Sequence, residues 1–282
     1  MMENLSKEYP IKQLSQTLEV ARSGYYRWRQ SRSSAREIAN AQLIQEIKSI
    51  HQARRGNYGS PRITEELQQK GHQCNHKRVE RLMRQHGLKG RTCSKRKVKT
   101  TDSEHDQPVA PNLLRDRPAP QKPNEVWVAD ITYIPTAQGY LFLAAVMDLY
   151  SRLIVGWSLW RRLEASGALQ ALNRALANRR YPRGVIHHSD RGVQYASLEY
   201  RKRLKQCGLI ASMSRKGNCY DNAAMEAFWS TLKREALLES SKWSENRVSQ
   251  VTFEFIEAIY NRSRLHSSLG YQTPVDFETK PK

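Results

Sequence analysis

Between residues 125 and 238 the apolar residues fall into eight segments, and their order leaves few architectures open. The first, EVWVADITYIP (125–135), crowds Val, Trp, Ile, Thr and Tyr together and is closed by a proline, the composition of a β-strand. GYLFLAAVMDLYSRLIVGWSLW (139–160) reads as two more strands turning around residues 148–152. EASGALQALNRALANRR is a helix with Leu169, Leu172 and Leu176 on one face. GVIHHSD follows as a short buried strand, SLEYRKRLKQCG as a helix, LIASMS as a strand and NAAMEAFWSTLKREALL as a final helix. The order βββαβαβα predicts an α/β domain: a mixed five-stranded sheet with helices on its faces.

An aspartate is out of place in the first of these strands. Asp130 shares its face with Val128 and Thr132 by the period of two. A second acid, Asp190, falls where the fourth strand ends, and functional side chains gather at such ends. A third, Glu226, lies in the first turns of the last helix of the domain. There Met225, Phe228, Trp229, Leu232 and Ala236 make an apolar stripe that must face the sheet. At roughly 100° per residue, Glu226, Ser230 and Lys233 line up on the flank of that stripe, so Glu226 is expected at the edge of the sheet. Lys233 then points the same way and can meet a phosphate.

Carboxylates drawn together repel, by up to about 4 kcal/mol for a pair at 4 Å and an effective dielectric of 20. A divalent cation converts that repulsion into a binding site, and hard oxygen ligands suit Mg²⁺ or Mn²⁺. Two such ions can activate a water or a 3′-hydroxyl for in-line displacement at a phosphodiester. The expected metal ligands and catalytic groups are therefore Asp130, Asp190 and Glu226.

A nucleic-acid partner fits the charge. The chain has 47 Lys and Arg against 27 Asp and Glu, a net +20 that favours a polyanion. The excess is +13 in residues 1–122 and +7 in residues 123–282, so the first part reads as a binding region and the second as one with a core. No segment has the apolar length of a membrane span, and the N-terminus lacks the apolar run of a secretory signal. Four sparse, irregularly spaced cysteines suit a reducing cytosol. His72, Cys74 and His76 invite a zinc reading, but the usual Cys or His pair spacing is missing.

Before residue 123 the pattern is helical. Residues 1–35 outline a helix-turn-helix, with Arg22, Arg27 and Arg29 on or beside its second helix; a small amphipathic pair packing on the rest of the protein is the alternative. In residues 36–90 a helix over 36–51 precedes a second two-helix outline. There Pro61 suits a helix start, Gly71 its end, Asn75 the next N-cap and Gly87 the next stop. Lys77, Arg78, Arg81 and Arg84 stud the later helix, which reads as a DNA-binding helix. Residues 91–122, basic and proline-rich, form a linker able to track phosphates. Residues 123–241 make the catalytic core, and residues 242–282 add an amphipathic helix near 245–261 and a polar tail. Arg191, beside Asp190, and Lys216 are further expected DNA contacts.

The element order matches the ribonuclease-H-like fold, and the motifs are more specific. VWVADITYI, HHSDRGVQY and NAAMEAFWSTLK resemble the three acidic motifs of the DDE transposase and integrase superfamily, with 59 residues between Asp130 and Asp190 and 35 between Asp190 and Glu226. SGYYRW, YGSPRITEEL, SRLIVGW, GNCYDNAAMEAFWSTLK and YNRSRLHSSLGYQTP resemble, over essentially the whole chain, the second-reading-frame transposase of IS-three-type bacterial insertion sequences. That resemblance implies a Mg²⁺- or Mn²⁺-dependent triad of Asp130, Asp190 and Glu226, and a DNA-end contact at Lys233. It also implies nicking at an element end followed by attack of the freed 3′-hydroxyl. The partners it implies are element ends and target DNA, a further copy of the chain on DNA, and the product of an upstream reading frame, in a bacterial cytoplasm.

Several residues compete for these roles. Asp148 falls at a turn, where aspartate is ordinary, and either Asp221 or Asn222 is expected to cap the Glu226 helix. His187 and His188 could orient Asp190, contact DNA or simply pack. Arg264, His266 and Tyr271 hint at a tyrosine recombinase, but the wider Arg and His set of that class is missing. A DNA-binding regulator with an inactive core and a ribonuclease-H-type nuclease are the rival functions.

Overall fold

A computed structural model describes residues 2–30, 34–91, 107–115, 117–162, 164–214 and 222–280. Two compact units emerge, residues 1–90 and residues 91–282. The first is all-α: α1 (Met2–Leu5), α2 (Ile11–Thr17), α3 (Arg22–Gln30), α4 (Ala35–Ala53), α5 (Ser60–Gln69) and α6 (His76–Gln85). Local chemistry sets the helix ends. Ser34 and Glu37 close a reciprocal capping box at the start of α4, and the Asn75 side chain accepts from the Arg78 amide at 2.8 Å to cap α6. Pro61 sits in the first turn of α5, while Gly71 and Gly87 take positive φ just past α5 and α6. Ile47, Ile50, Ile63, Leu67 and Val79 are buried among these helices. Arg54 grips Glu66 through two nitrogens, at 3.1 and 3.0 Å.

The second unit holds the expected five-stranded sheet, in the order β3-β2-β1-β4-β5. Its strands are β1 (Val126–Thr136), β2 (Gly139–Asp148), β3 (Ile154–Trp160), β4 (Ile186–Ser189) and β5 (Ile210–Met213). The first three form an antiparallel meander, and β4 and β5 add in parallel. Helix α7 (Ala165–Asn178), the short α8 (Val193–Ala196) and α9 (Leu198–Gln206) cover the face carrying Trp127, Ala129, Ala144 and Val146. Helix α10 (Ala223–Glu235) covers the other face with Met225, Phe228, Trp229 and Leu232, against Val126, Val128, Leu143 and Met147. A Cβ at Gly156 would collide with the backbone of Ala171 and Ala175, so glycine there is what lets α7 close on β3.

The final helix differs in form from the amphipathic helix expected over 245–261. Helix α11 (Glu245–Phe253) widens into a π-helical turn over Glu254–Tyr260, which carries Phe255, Ile256 and Tyr260 into the core. The side chain of Asn261 then pairs with both backbone groups of Ile154, at 3.0 and 3.1 Å. The expected polar tail instead contains α12 (Pro274–Thr279). Thr273 caps it, Arg179 pairs with Glu278, and Phe277 packs on Tyr150 with ring centroids 5.1 Å apart. These partners are distant in sequence, so the tail shows no periodicity of its own. Of the expected linker, residues 92–106 lie outside the described residues. Its later part lies on the sheet: the Leu113 amide donates to Ser212 Oγ at 2.9 Å, and Leu114 packs on the core.

Candidate active site

The ladder between β1 and β4 positions the first two acids. It runs in parallel from Val126↔Ile186 to Ala129↔Ser189 and stops. Carried one step further, the register sets Asp190 beside Asp130, at the point where β4 ends and β1 has a neighbour on its β2 side alone. Asp130 lies on the α10 face. Its Oδ2 accepts from Trp229 Nε1 at 2.8 Å and its Oδ1 from the Ile131 amide at 2.9 Å. Asp190 Oδ1 accepts from the Gly192 amide at 2.9 Å, which turns the chain into α8.

Desolvation and then the Asp190 charge push the Asp130 carboxyl up to about 7; the Trp229 and Ile131 hydrogen bonds pull it down, and Glu226 adds a smaller upward push. The three acids therefore share one electrostatic site. Glu226 itself is exposed in the first turn of α10. Among the described residues no three His, Cys, Asp or Glu side chains converge closely enough to hold an ion as they stand. Asp130 and Asp190 thus lie at the end of the β1–β4 ladder, and Glu226 is exposed on α10.

Lys233, two turns beyond Glu226, is half-buried with Nζ 4.8 Å from the centre of the Tyr133 ring. Burial pulls its ammonium below the ordinary range, and Asp130 pushes it back up. Arg191 spends its Nε on the Ser214 carbonyl at 2.8 Å, tying the Asp190 turn to the end of β5. Lys216 and Asp221 lie outside the described residues. Asn222 stands at the N-cap of α10, but its side chain makes no capping hydrogen bond.

The competing residues take other parts. Asp148 Oδ1 accepts from the Tyr150 amide at 3.0 Å and its Oδ2 from the Asn124 amide at 2.8 Å, at the other end of the β1–β2 ladder from Thr136. His188 Nδ1 pairs with Ser212 Oγ at 2.8 Å and His187 Nε2 with Tyr200 OH at 3.1 Å, both buried; burial drops His187 to about 4. Arg264 is buried in a two-pronged pair with Glu235, at 2.9 and 2.8 Å, so it is not available to a recombinase phosphate site. His76 turns to Ser60 Oγ at 2.9 Å, away from any zinc role shared with Cys74.

In the all-α unit, Arg22 and Arg27 are exposed on α3 and Lys77 on α6. Arg81 is half-buried, and Arg78 spends its Nε on Asn40 Oδ1 at 2.9 Å. Two residues at the acid pair escaped the sequence reading. Trp229 reads there as stripe alone, although an indole N–H in a core needs an acceptor, a usable signal. Tyr195, buried on α8, has its phenol raised well above the ordinary range by burial, Tyr200 and the charges of Asp130 and Asp190, and no periodicity marks it.

Comparison with known proteins adds the lineage. An integrase core domain family matches residues 120–219, a second integrase core family residues 208–274, and an HTH-like domain residues 37–97. The transposase InsF of insertion sequence IS3A from Escherichia coli (strain K12) is 39% identical over 281 residues, 99% of this chain and 97% of that protein. The chain belongs to the IS3-family transposases. A 31 kDa protein of insertion element IS600 from Shigella sonnei is 45% identical over 268 residues, 95% of this chain and 98% of its own length. A chain of the simian T-cell lymphotropic virus intasome in complex with PP2A regulatory subunit B56 gamma superposes with a TM-score of 0.48 at 16% identity, covering 84% of this chain and 75% of that one. This DNA transposase carries an HTH-like domain followed by an integrase core domain. No described helix of the transposase is long and apolar enough to cross a membrane.

Proposed function

We propose that this transposase nicks the ends of an insertion sequence and transfers the freed 3′ ends to target DNA, with Asp130, Asp190 and Glu226 as its catalytic carboxylates. The observation that supports the reading is the β1–β4 ladder, which ends at Ala129↔Ser189, one step short of Asp130 and Asp190, with Asp130 tied by Trp229 to the helix that bears Glu226.

The donor set fits hard divalent cations. All three groups offer carboxylate oxygen, and the raised Asp130 carboxyl marks a site rich in negative charge. Bound there, Mg²⁺ or Mn²⁺ would supply the positive charge that activates an attacking oxygen and stabilises a leaving one. Trp229 and the Ile131 amide hold Asp130 in one orientation, and the Gly192 amide does the same for Asp190. Glu226, on the flank of α10, closes the site from the rim. Lys233 brings a cation to a phosphate near the reacting one.

The balance of the reaction is simple. A water oxygen attacks the phosphorus at the element end, the P–O3′ bond breaks, and the leaving 3′ oxygen takes a proton. The new 3′-hydroxyl then loses its proton and attacks a target phosphorus, forming a P–O3′ bond to the element as the target P–O3′ bond breaks and the released target 3′ oxygen takes a proton. The exposed arginines of α3 and the basic side chains of α6 would bind the flanking duplex. The reading includes assembly of copies on DNA and cooperation with the upstream-frame product.

The test is an end-joining assay with Mg²⁺ or Mn²⁺, a labelled duplex carrying the element end, and plasmid target. Label should join plasmid with the wild type, alone or with the upstream-frame product, and joining should be lost in Glu226→Gln. Equal joining by Glu226→Gln, or none from the wild type under either condition, would overturn the assignment.

A further inference from the structure

From Lys233 outward, the sheet carries aromatic rings rather than acids. Tyr133 lies three residues beyond Asp130 on β1, about 10 Å along the strand and on the opposite face of the sheet. Its ring holds Lys233 Nζ at 4.8 Å on one side and meets Tyr140 edge to face on another, with centroids 5.6 Å apart. Tyr140 stands opposite Pro135, diagonal to Tyr133 and on the same face of the hairpin. It is 59% exposed. Past Tyr140 opens a concavity of about 660 Å³, lined by Gln138, Arg161, Ser244, Glu245 and Asn246 as well as Tyr140 itself. Arg161 and Glu245 pair across it at 2.6 Å.

We infer that Tyr140, backed by Tyr133, is a stacking ledge for an unpaired base of the DNA strand whose phosphate lies at the three carboxylates. The inference rests on the proposed function and adds a specificity element to it. Three features favour a nucleobase as the occupant. The ledge and Asp130 lie on opposite faces of β1, and Lys233, which feels the Asp130 charge and sets its Nζ 4.8 Å from the Tyr133 ring, links them past the end of β4, where its charge suits the intervening phosphates. An exposed phenol ring offers the flat surface on which bases of any sequence stack. The adjoining concavity presents the amides of Gln138 and Asn246, groups that read base edges. A paired base has both faces covered by its neighbours, so stacking requires local fraying.

The experiment places 5-iodo-deoxyuridine at one position at a time along both strands of the element-end duplex, irradiates the complex with the full-length protein, and identifies crosslinked peptides by mass spectrometry. Wild type should crosslink at Tyr140 within one narrow window of positions on one strand. Tyr140→Phe should keep both crosslink and affinity, because the ring does the stacking. Tyr140→Ala should lose the crosslink and bind the end about 5- to 100-fold more weakly, the range a lost base–aromatic stack predicts. The exposed site makes a folding defect easy to exclude by melting temperature. Glu226→Gln should crosslink like the wild type, since the ledge does not need the chemistry. Joining without any Tyr140 window, or unchanged affinity in Tyr140→Ala, overturns the ledge and leaves the proposed function standing. A Tyr140 window in a protein that joins no ends does the reverse. Absence of both overturns both.

Discussion

Trp229 Nε1 donates to Asp130 Oδ2 at 2.8 Å, and this bond fixes helix α10 to the acid at the centre of β1. It favours the charged form of the carboxylate, opposing burial and the neighbouring Asp190, which still push the group up to about 7. Trp229→Phe keeps an aromatic ring on the stripe and deletes the donor. A hydrogen bond to a charged group contributes on the order of 1.5–3 kcal/mol, so end joining should fall about 10- to 100-fold. Circular dichroism and melting curves taken alongside should show the fold retained. Joining at the wild-type rate would show that this bond positions nothing the reaction needs.

Asp148 predicts a pH-dependent stability. Burial pushes its carboxyl up to about 6, although the Asn124 and Tyr150 amides and Arg179 pull it down. Its folded value therefore lies above the unfolded value of about 3.9, and the folded state binds the proton more tightly. That contribution is fully present below about pH 4 and is lost as pH rises through 6, on the order of 3 kcal/mol. Asp148→Asn removes the titration. Between pH 4 and 6.5 the wild type should lose stability relative to the variant in urea unfolding, and parallel curves would contradict the assignment.

Arg264 and Glu235 are an ion pair 4% and 2% exposed, joining the C-terminal segment to the end of α10. Removing either partner breaks a buried charge pair, and Arg234, 3.3 Å from Glu235 Oε1, offsets only part of the loss of Arg264. Arg264→Met or Glu235→Leu alone should destabilise by about 3–5 kcal/mol. The double replacement should recover most of that loss, since a packed apolar pair costs no desolvation. A double-mutant cycle by thermal unfolding measures the coupling, and additive losses would show the pair to be energetically silent.

The basic helix α6 predicts a salt signature. Lys77→Ala should weaken binding to all duplexes alike and lower the slope of log affinity against log salt by about 1. Arg81→Ala, from a half-buried position, should do the same with a smaller effect. Arg78→Ala also breaks the bond to Asn40 in α4, so it alone of the three should lower the melting temperature as well. Fluorescence anisotropy across a salt series, on specific and random duplexes, separates these cases.

What the chain determined locally was the kind and order of its elements. Period-two and helical spacings arise between near neighbours, so the five strands, α7, α9 and the flank of α10 are legible in short stretches. So are the cap at Asn75, the helix start marked by Pro61, and the oddity of an acid in β1. Tertiary structure decided which groups those acids meet. The partner of Asp130 is a tryptophan 99 positions away, and Arg264 finds Glu235 across 29. The tail helix α12 exists on contacts with Arg179 and Tyr150, which no local period records. The aromatic ledge likewise needs the register of β1 on β2 before Tyr133 and Tyr140 become neighbours. Spacing along a chain specifies which way a side chain leaves its own element; desolvation, pairing and pKa depend on what other elements bring to that place.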